Sequence, residues 1–105
     1  MKSAGVPTFV LLLAGLVPAA AQDRAARGRA LLTEMCSSCH AVGTSGASPN
    51  PAAAAFRIIS RRMELNDLYE RLREGLSSGH RDMPTFRFSR ADARAVRAYL
   101  RTIEK

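Results

Sequence analysis

The amino-acid sequence predicts an all-α domain. Apolar residues recur every three or four positions in one segment before the first cysteine and in several later segments, which is the spacing of a single helix face. No run of alternating apolar and polar residues marks a half-buried strand. Two segments rich in glycine, serine and proline separate the helical segments. We therefore expect three to four helices in a chain of 105 residues, a length that fits one domain.

Residues 1–21 have the features of a secretory signal peptide. Lys2 supplies the positive start, residues 9–17 form a short apolar core, and residues 19–21 are alanines that suit a cleavage site. Cleavage after Ala21 leaves residues 22–105 as the folded domain. The alternative is an uncleaved membrane anchor, but prolines and glycines interrupt the apolar stretch, and a spanning helix needs about 20 apolar residues.

The first helix is predicted for residues 23–35, with Asp23 as its cap or as a favourable charge at its start. One face carries the small and apolar residues Ala25, Gly28, Leu31, Leu32 and Met35. A glycine inside a helix costs about 1 kcal/mol relative to alanine. We therefore expect another backbone to pass close to Gly28.

Two helical segments follow a loop over residues 43–51. A short helix is predicted for residues 52–60. The next helix is predicted for residues 64–76, where leucines recur at spacings of three and four, and Gly75 lies close to its end.

A second loop, over residues 77–86, leads to the last helix. Ser89 is predicted to open this helix, and Asp92, three residues on, gives a short variant of the capping box. The helix should run to about Ile103 and bury Val96, Tyr99, Leu100 and Ile103.

The motif Cys36-Ser37-Ser38-Cys39-His40 predicts one covalently attached haem c. Two thiols at this spacing form thioethers with the two haem vinyl groups, and the adjacent histidine donates an imidazole nitrogen to the iron. A redox-active C-x-x-C would sit beside a β-α-β pattern, which is missing here. A zinc site needs four ligands, and the only others on offer are His40 and His80, with no second C-x-x-C. A disulfide across two residues would close only a very small loop and stabilise little.

The second axial ligand of the iron is predicted to be Met83. Pro84 follows it and prevents a helix there, so a loop can present the thioether to the iron. His80 is the alternative, because it lies in the same loop, and Met63 is the weaker candidate because it precedes a helix. With His40 and Met83 as the metal ligands, the reduction potential is raised and both axial sites are filled. This arrangement favours electron transfer over catalysis or gas binding.

These residues resemble the small class I cytochromes c of bacteria, over nearly all of residues 23–105. The attachment motif is followed by Asp82-Met83-Pro84-Thr85-Phe86, which is similar to the family's distal-methionine loop. In the family, a glycine and a large apolar residue of the first helix pack against an apolar residue and an aromatic of the last helix. Gly28 and Leu32 fit the first pair, and Val96 and Tyr99 fit the second. The resemblance implies a class I cytochrome c fold, with terminal helices crossing beside one haem.

The resemblance also implies residues around the haem. In the family, a proline carbonyl accepts a hydrogen bond from the ligand histidine, and Pro49 or Pro51 would take that role. Several relatives read Ala-Pro-Pro-Phe-Arg where this chain has Ala53-Ala54-Ala55-Phe56-Arg57. Relatives commonly place a Trp near a haem propionate. This chain has no Trp, so Arg57 and Arg61 are the candidates. The expected haem lining is Leu32, Phe56, Ile59, Leu65, Leu68, Leu72, Phe86, Val96 and Leu100.

The charge balance predicts the kind of partner. The chain carries +7, which becomes +6 once Lys2 is removed with the leader. The sequence contains no cluster of five basic residues and no alternation of arginine with aromatic residues. We therefore do not expect the protein to bind nucleic acid. A basic surface around an exposed haem edge would steer redox partners with acidic docking surfaces.

The sequence therefore predicts a periplasmic bacterial electron carrier, not an enzyme, that shuttles single electrons through a His/Met-ligated haem. The alternatives are a cytochrome subunit bound tightly to a periplasmic dehydrogenase and a haem-based ligand sensor. A membrane association is expected only if the leader remains attached.

Overall fold

The computed structural model describes residues 3–5, 19–77 and 79–104. Within these residues there are four helices and no strand, which confirms the predicted all-α class. The helices are α1 (Ala19–Cys36), α2 (Phe56–Arg62), α3 (Leu65–Glu74) and α4 (Arg90–Ile103). Helix α4 is central, because it packs against each of the other three.

Helix α1 begins earlier than predicted. It begins at Ala19, so Asp23 lies inside the helix and does not cap it. The reason is local, because alanine is the strongest helix former and three alanines occupy residues 19–21. The apolar core of the predicted leader, residues 9–17, lies outside the described residues. No helix in the described part of the chain is long and apolar enough to cross a membrane.

The terminal helices cross at Gly28, as its position inside a helix predicted. A Cβ placed on Gly28 would overlap the carbonyl of Ala95 and lie 2.9 Å from the backbone nitrogen of Val96. Leu32, one turn further along α1, and Val96 are almost completely buried. The two backbones are therefore in direct contact, and no side chain fits between them.

The segment before α2 is a turn and not the helix predicted from residue 52. Asn50 holds this turn, since its side-chain oxygen accepts from Ala52 N–H at 2.9 Å and its carbonyl accepts from Ala53 N–H at 3.0 Å. Helix α2 consequently begins at Phe56 and extends to Arg62.

Helix α3 ends at Glu74, before the predicted end at Leu76. Gly75 follows with a φ of 114°, a left-handed conformation that glycine adopts without strain, and its N–H donates to the carbonyl of Arg71. Leu76 then pairs with Phe86 in an isolated antiparallel β-bridge, with N···O distances of 2.7 and 3.4 Å. The bridge closes the loop that contains Met83.

The start of α4 agrees with the prediction. Ser89 is the N-cap, and its hydroxyl accepts a hydrogen bond from Asp92 N–H at 3.1 Å. The Asp92 carboxylate lies in the first turn of α4, where it favours the helix dipole, and it also pairs with Arg27 of α1 at 3.3 Å.

Seven of the nine residues expected to line the haem lie in the buried apolar core. Ile59 and Phe86 are the two exceptions, since they are only partly buried and pack against its edge. The core also includes residues that the periodicity did not single out, namely Val42, Tyr69, Phe88, Ala93 and Ala95.

The helix crossing predicts that Gly28→Ala lowers the free energy of unfolding, although glycine-to-alanine changes in helices usually raise it. At an open helix position this change would stabilise the protein by about 1 kcal/mol through helix propensity. We expect it to lower the free energy of unfolding by about 1–3 kcal/mol, because the added methyl group overpacks the contact with Ala95. Urea unfolding of the holoprotein measures this. Gly43→Ala is the control, since a Cβ there meets nothing within 4 Å. A stabilised Gly28→Ala variant would contradict the crossing.

Candidate functional site

The cysteine–histidine motif forms a tight turn at the end of α1. The helix ends at Cys36, whose carbonyl accepts from Cys39 N–H at 3.2 Å and from His40 N–H at 2.9 Å. This turn reverses the chain within four residues. It brings both sulfurs and the imidazole to the same side of the molecule, where all three line one cleft.

The chain after the motif folds back over it. Asn50 N–H donates to the carbonyl of Cys39 at 3.1 Å, and Phe56 N–H donates to the carbonyl of Ala41 at 2.9 Å. The Ser48 hydroxyl accepts from Ala41 N–H at 3.0 Å. These bonds fix the path of the loop over residues 43–55 against the turn.

Tyr99 ties the last helix to the same region. Its side chain is buried, and its hydroxyl donates to the carbonyl of Val42 at 2.6 Å. A buried carbonyl needs a partner, and no helix or strand supplies one to Val42. Tyr99 therefore connects the helix crossing to the residues that directly follow His40.

The His40 ring is oriented by a backbone carbonyl. Its Nδ1 lies 2.6 Å from the carbonyl oxygen of Ala54. Because a carbonyl can only accept, Nδ1 carries the hydrogen, and the lone pair of Nε2 is left for a metal ion. The Phe56 ring contacts the imidazole at a centroid distance of 5.3 Å.

The expectation that Pro49 or Pro51 supplies this carbonyl is wrong. The backbone beside these prolines bonds to Cys39 through Asn50, and the chain reaches the imidazole only four residues later. Ala54 stands where relatives with Ala-Pro-Pro-Phe-Arg have their first proline. The carbonyl is a backbone group, so alanine supplies it as well as proline does.

The loop over residues 79–86 forms the opposite wall. Met83 N–H donates to the carbonyl of His80 at 3.1 Å, so the two candidate ligands share one turn. Met83 is half-buried, whereas His80 is exposed. Both line the cleft that Cys36, Cys39 and His40 line. Met63 does not line it and packs against the core instead.

The cleft between these walls has a volume of about 820 Å³, including space open to solvent. Its walls are mainly apolar or small, and Asp82 is the only carboxylate among the residues that line it. The lining consists of Met35, Cys36, Ser38, Cys39, His40, Asn50, Ala52, Ala53, Ala54, His80, Asp82, Met83, Pro84 and Phe86. The structure thus brings Cys36, Cys39, His40 and the two candidate ligands Met83 and His80 to one cleft. Of the nine apolar residues expected to line the haem, Phe86 alone is part of this lining among the described residues.

The two cysteines are free thiols with different surroundings. Cys36 is buried and Cys39 is partly exposed. Burial, with a smaller contribution from the nearby Cys39, raises the pKa of the Cys36 thiol to about 11. Cys36 is therefore a neutral thiol at neutral pH, and a thiol is the group that adds to a vinyl double bond.

In the described part of the chain, two buried guanidinium nitrogen atoms lack hydrogen-bond partners. They are Nη1 of Arg57, on the first turn of α2, and Nε of Arg73, on the last turn of α3. A buried polar atom without a partner is costly, so each is suited to an anion bound from outside the chain. Arg57 was singled out by the sequence. Arg73 was missed, because nothing in its local pattern distinguishes it from the other arginines of α3. Neither lines the cleft directly.

The donor set of the cleft suits a haem. Two thiols, an imidazole with its Nε2 free and a thioether line one mainly apolar space, and the buried Arg57 nitrogen could receive a carboxylate. An all-α fold with crossed terminal helices and this donor set defines a small c-type cytochrome of class I.

The chain belongs to the family described as cytochrome c oxidase, cbb3-type, subunit III, whose match covers residues 23–100. Cytochrome c-552 of Bradyrhizobium diazoefficiens is 30% identical over 92 residues, which cover 88% of this chain and 86% of that protein. No solved structure matches the chain significantly. Membership in this family implies haem c, redox partner proteins and a function in electron transfer.

The hydrogen bond from Tyr99 to Val42 predicts a specific loss of stability. Tyr99→Phe should lower the free energy of unfolding by about 1–3 kcal/mol, because the buried Val42 carbonyl loses its only side-chain partner. Denaturant unfolding of the holoprotein measures the change. Tyr69→Phe is the matched control, since Tyr69 is also buried and its hydroxyl has no hydrogen bond among the described residues. Its expected change is about 0.5 kcal/mol or less. Equal losses for the two variants would contradict the role of Tyr99.

Proposed function

We propose that the protein is an exported electron carrier with one haem c, held by thioethers to Cys36 and Cys39 and by axial bonds from His40 and Met83. The observation that carries this proposal is the convergence of all four side chains on one cleft, from segments more than forty residues apart. When bound, the haem supplies one-electron chemistry at its iron. The chain supplies the ligands, their orientation and the exclusion of water.

His40 is prepared for this role before any iron binds. The carbonyl of Ala54 holds the proton on Nδ1, and the Phe56 ring packs against the imidazole. A hydrogen bond at Nδ1 also makes Nε2 a stronger donor, as in other histidine metal ligands. The hydrogen bonds around Asn50 keep the Ala54 carbonyl in place.

Met83 supports the proposal better than His80 does. Met83 is half-buried at the cleft, and the exposed His80 precedes it in the same turn. An apolar thioether gains from burial in this lining, whereas an imidazole would lose water contacts. The β-bridge between Leu76 and Phe86 fixes both ends of the loop.

Arg57 is proposed to bind a haem propionate. Its buried Nη1 has no hydrogen-bond partner among the residues that the structure describes, and Arg57 directly follows Phe56, whose ring contacts His40. A guanidinium paired with a propionate places a fixed positive charge near the iron. Such a charge stabilises the less positive ferrous form.

The export signal motivates a periplasmic location for this carrier. The positive balance motivates redox partners with acidic docking surfaces. Association rates with such a partner should fall as ionic strength rises, because salt screens the attraction.

The ligand set is tested by Met83→Ala in the purified holoprotein. We expect loss of the weak far-red absorption band that methionine ligation gives to the ferric protein, a lower reduction potential, and rapid carbon monoxide binding in the ferrous protein. His80→Ala is the control from the same loop and should leave all three properties unchanged. If His80→Ala alone changed the spectrum, His80 would be the ligand.

Attachment is tested by mass spectrometry of the denatured holoprotein. The mass should exceed that of the chain by one haem, and Cys36→Ala or Cys39→Ala should leave a single thioether. The same spectrum reports the N-terminus, and a chain beginning at Gln22 is expected. Haem released by denaturation would contradict covalent attachment.

Arg57→Gln tests the propionate contact. Its reduction potential should fall, because a positive charge near the iron is removed, and a tenfold change in the one-electron equilibrium corresponds to about 59 mV. Arg62→Gln, an exposed change on the same helix, should leave the potential close to that of the wild type. Equal potentials for all three proteins would place the propionates elsewhere.

A further inference from the structure

The positive charge of this protein is not concentrated at the haem cleft. Among the described residues, no arginine or lysine lines the cleft, and its one carboxylate is Asp82. The chain nevertheless carries 16 basic residues against 9 acidic ones. The excess of positive charge therefore lies on other parts of the fold.

Helix α4 carries a continuous row of arginines on its outer face. Arg90, Arg94, Arg97 and Arg101 follow one another at spacings of four, three and four residues, which places them on one side of the helix. We call these four residues the arginine ladder. Their Cα atoms span about 16 Å along the axis, at a rise of 1.5 Å per residue. No residue of α4 lines the haem cleft.

Arg97 of the ladder is held by neighbouring side chains, whereas the other three arginines have no partner among the described residues. Arg97 donates to the Asn66 side chain at 3.1 Å, and its guanidinium lies 4.4 Å from the centroid of the Tyr69 ring. Arg90, Arg94 and Arg101 are exposed, and within the described residues their guanidinium groups form no hydrogen bond or ion pair. Asp92, the acid on the same helix, is paired with Arg27 of α1.

Further arginines extend the ladder at its C-terminal end. Arg101 lines a polar cavity together with Arg61 and Arg62 of α2. Two carboxylates, Glu64 and Glu104, line the same cavity and offset part of its charge. The cavity therefore adds positive charge to the end of the ladder without forming a purely basic pocket.

We propose that the arginine ladder is a docking surface for an acidic face of a partner protein, separate from the haem cleft. Guanidinium groups pair bidentately with carboxylates, and a partner helix with acidic residues at the same spacing would match the ladder. Beside the ladder, Ala91 and Thr102 are exposed and Ala98 is partly exposed, and all three side chains are small enough for a second helix to approach. A partner held there leaves the cleft free for the transfer of electrons.

A membrane surface fits the ladder less well. Peripheral membrane helices insert large apolar side chains below the headgroups. On α4 the large apolar side chains, Val96, Tyr99, Leu100 and Ile103, are all buried in the core. The docking proposal depends on the proposed electron-transfer function in one respect only, which is the existence of a protein partner.

The test uses the holoprotein and a helical peptide of about 20 residues with glutamates at positions i, i+4, i+7 and i+11. The ladder variant is Arg94→Glu with Arg101→Glu. The control is Arg24→Glu with Arg71→Glu, which changes the net charge equally at exposed positions on α1 and α3. We expect the ladder variant to bind the peptide roughly tenfold more weakly or worse, and the control to bind it nearly as the wild type does. Amide shifts on binding should map to α4.

Three outcomes would overturn the docking surface: equal loss of binding in both variants, no binding of the wild type, or ladder-dependent binding to vesicles of equal phosphatidylglycerol and phosphatidylcholine without peptide binding. The absorption spectrum and reduction potential of the ladder variant should equal those of the wild type. A wild-type spectrum without methionine ligation would overturn the proposed function and leave the ladder result to stand by itself.

Discussion

The direct backbone contact between α1 and α4 determines where the site lies. Gly28 lets the two helices touch at Ala95 and Val96, and Cys36 ends α1 about two turns beyond that contact. The direction of α1 therefore sets the position of the cysteine–histidine turn. One turn after Val96, Tyr99 bonds to Val42 and holds the chain that leaves His40. A shift at the crossing would move both ends of the motif together.

The loop after His40 shows how this chain holds the carbonyl that orients the imidazole without the two prolines of Ala-Pro-Pro-Phe-Arg. The geometry that matters is the position of one carbonyl oxygen, on Ala54, beside the Nδ1 of His40. Proline would restrict the backbone there by fixing φ. In this chain Asn50 restricts it instead, with one side-chain and two backbone hydrogen bonds. The cost of ordering the alanines is offset by bonds that lie a few residues away.

The features that could be predicted from the sequence are those with local causes. The serine cap of α4, the leucine face of α3 and the close approach at Gly28 each follow from a few neighbouring residues. The features that could not be predicted depend on folding between distant segments. Ala54 has no side chain that would mark its carbonyl, and the unpaired Nε of Arg73 is defined only by its burial. The predicted start of α1 at Asp23 was wrong, because the helix propensity of the three alanines before it outweighs the capping preference of Asp23.

The arginines of α4 lie away from the cleft, and this separation determines how strongly their charges can act on the reduction potential. A charge beside an iron in an apolar surrounding acts on the reduction potential with little screening, whereas a charge on an exposed helix is screened within about 10 Å at 0.1 M salt. The charges of the α4 arginines are therefore screened by salt. The one carboxylate that lines the cleft among the described residues is Asp82. Substitutions of these exposed arginines would alter the proposed docking surface while the surroundings of His40 and Met83 stay the same. Helix α4 has two roles, because its buried face packs against α1 and orients it, and its outer face carries the arginines.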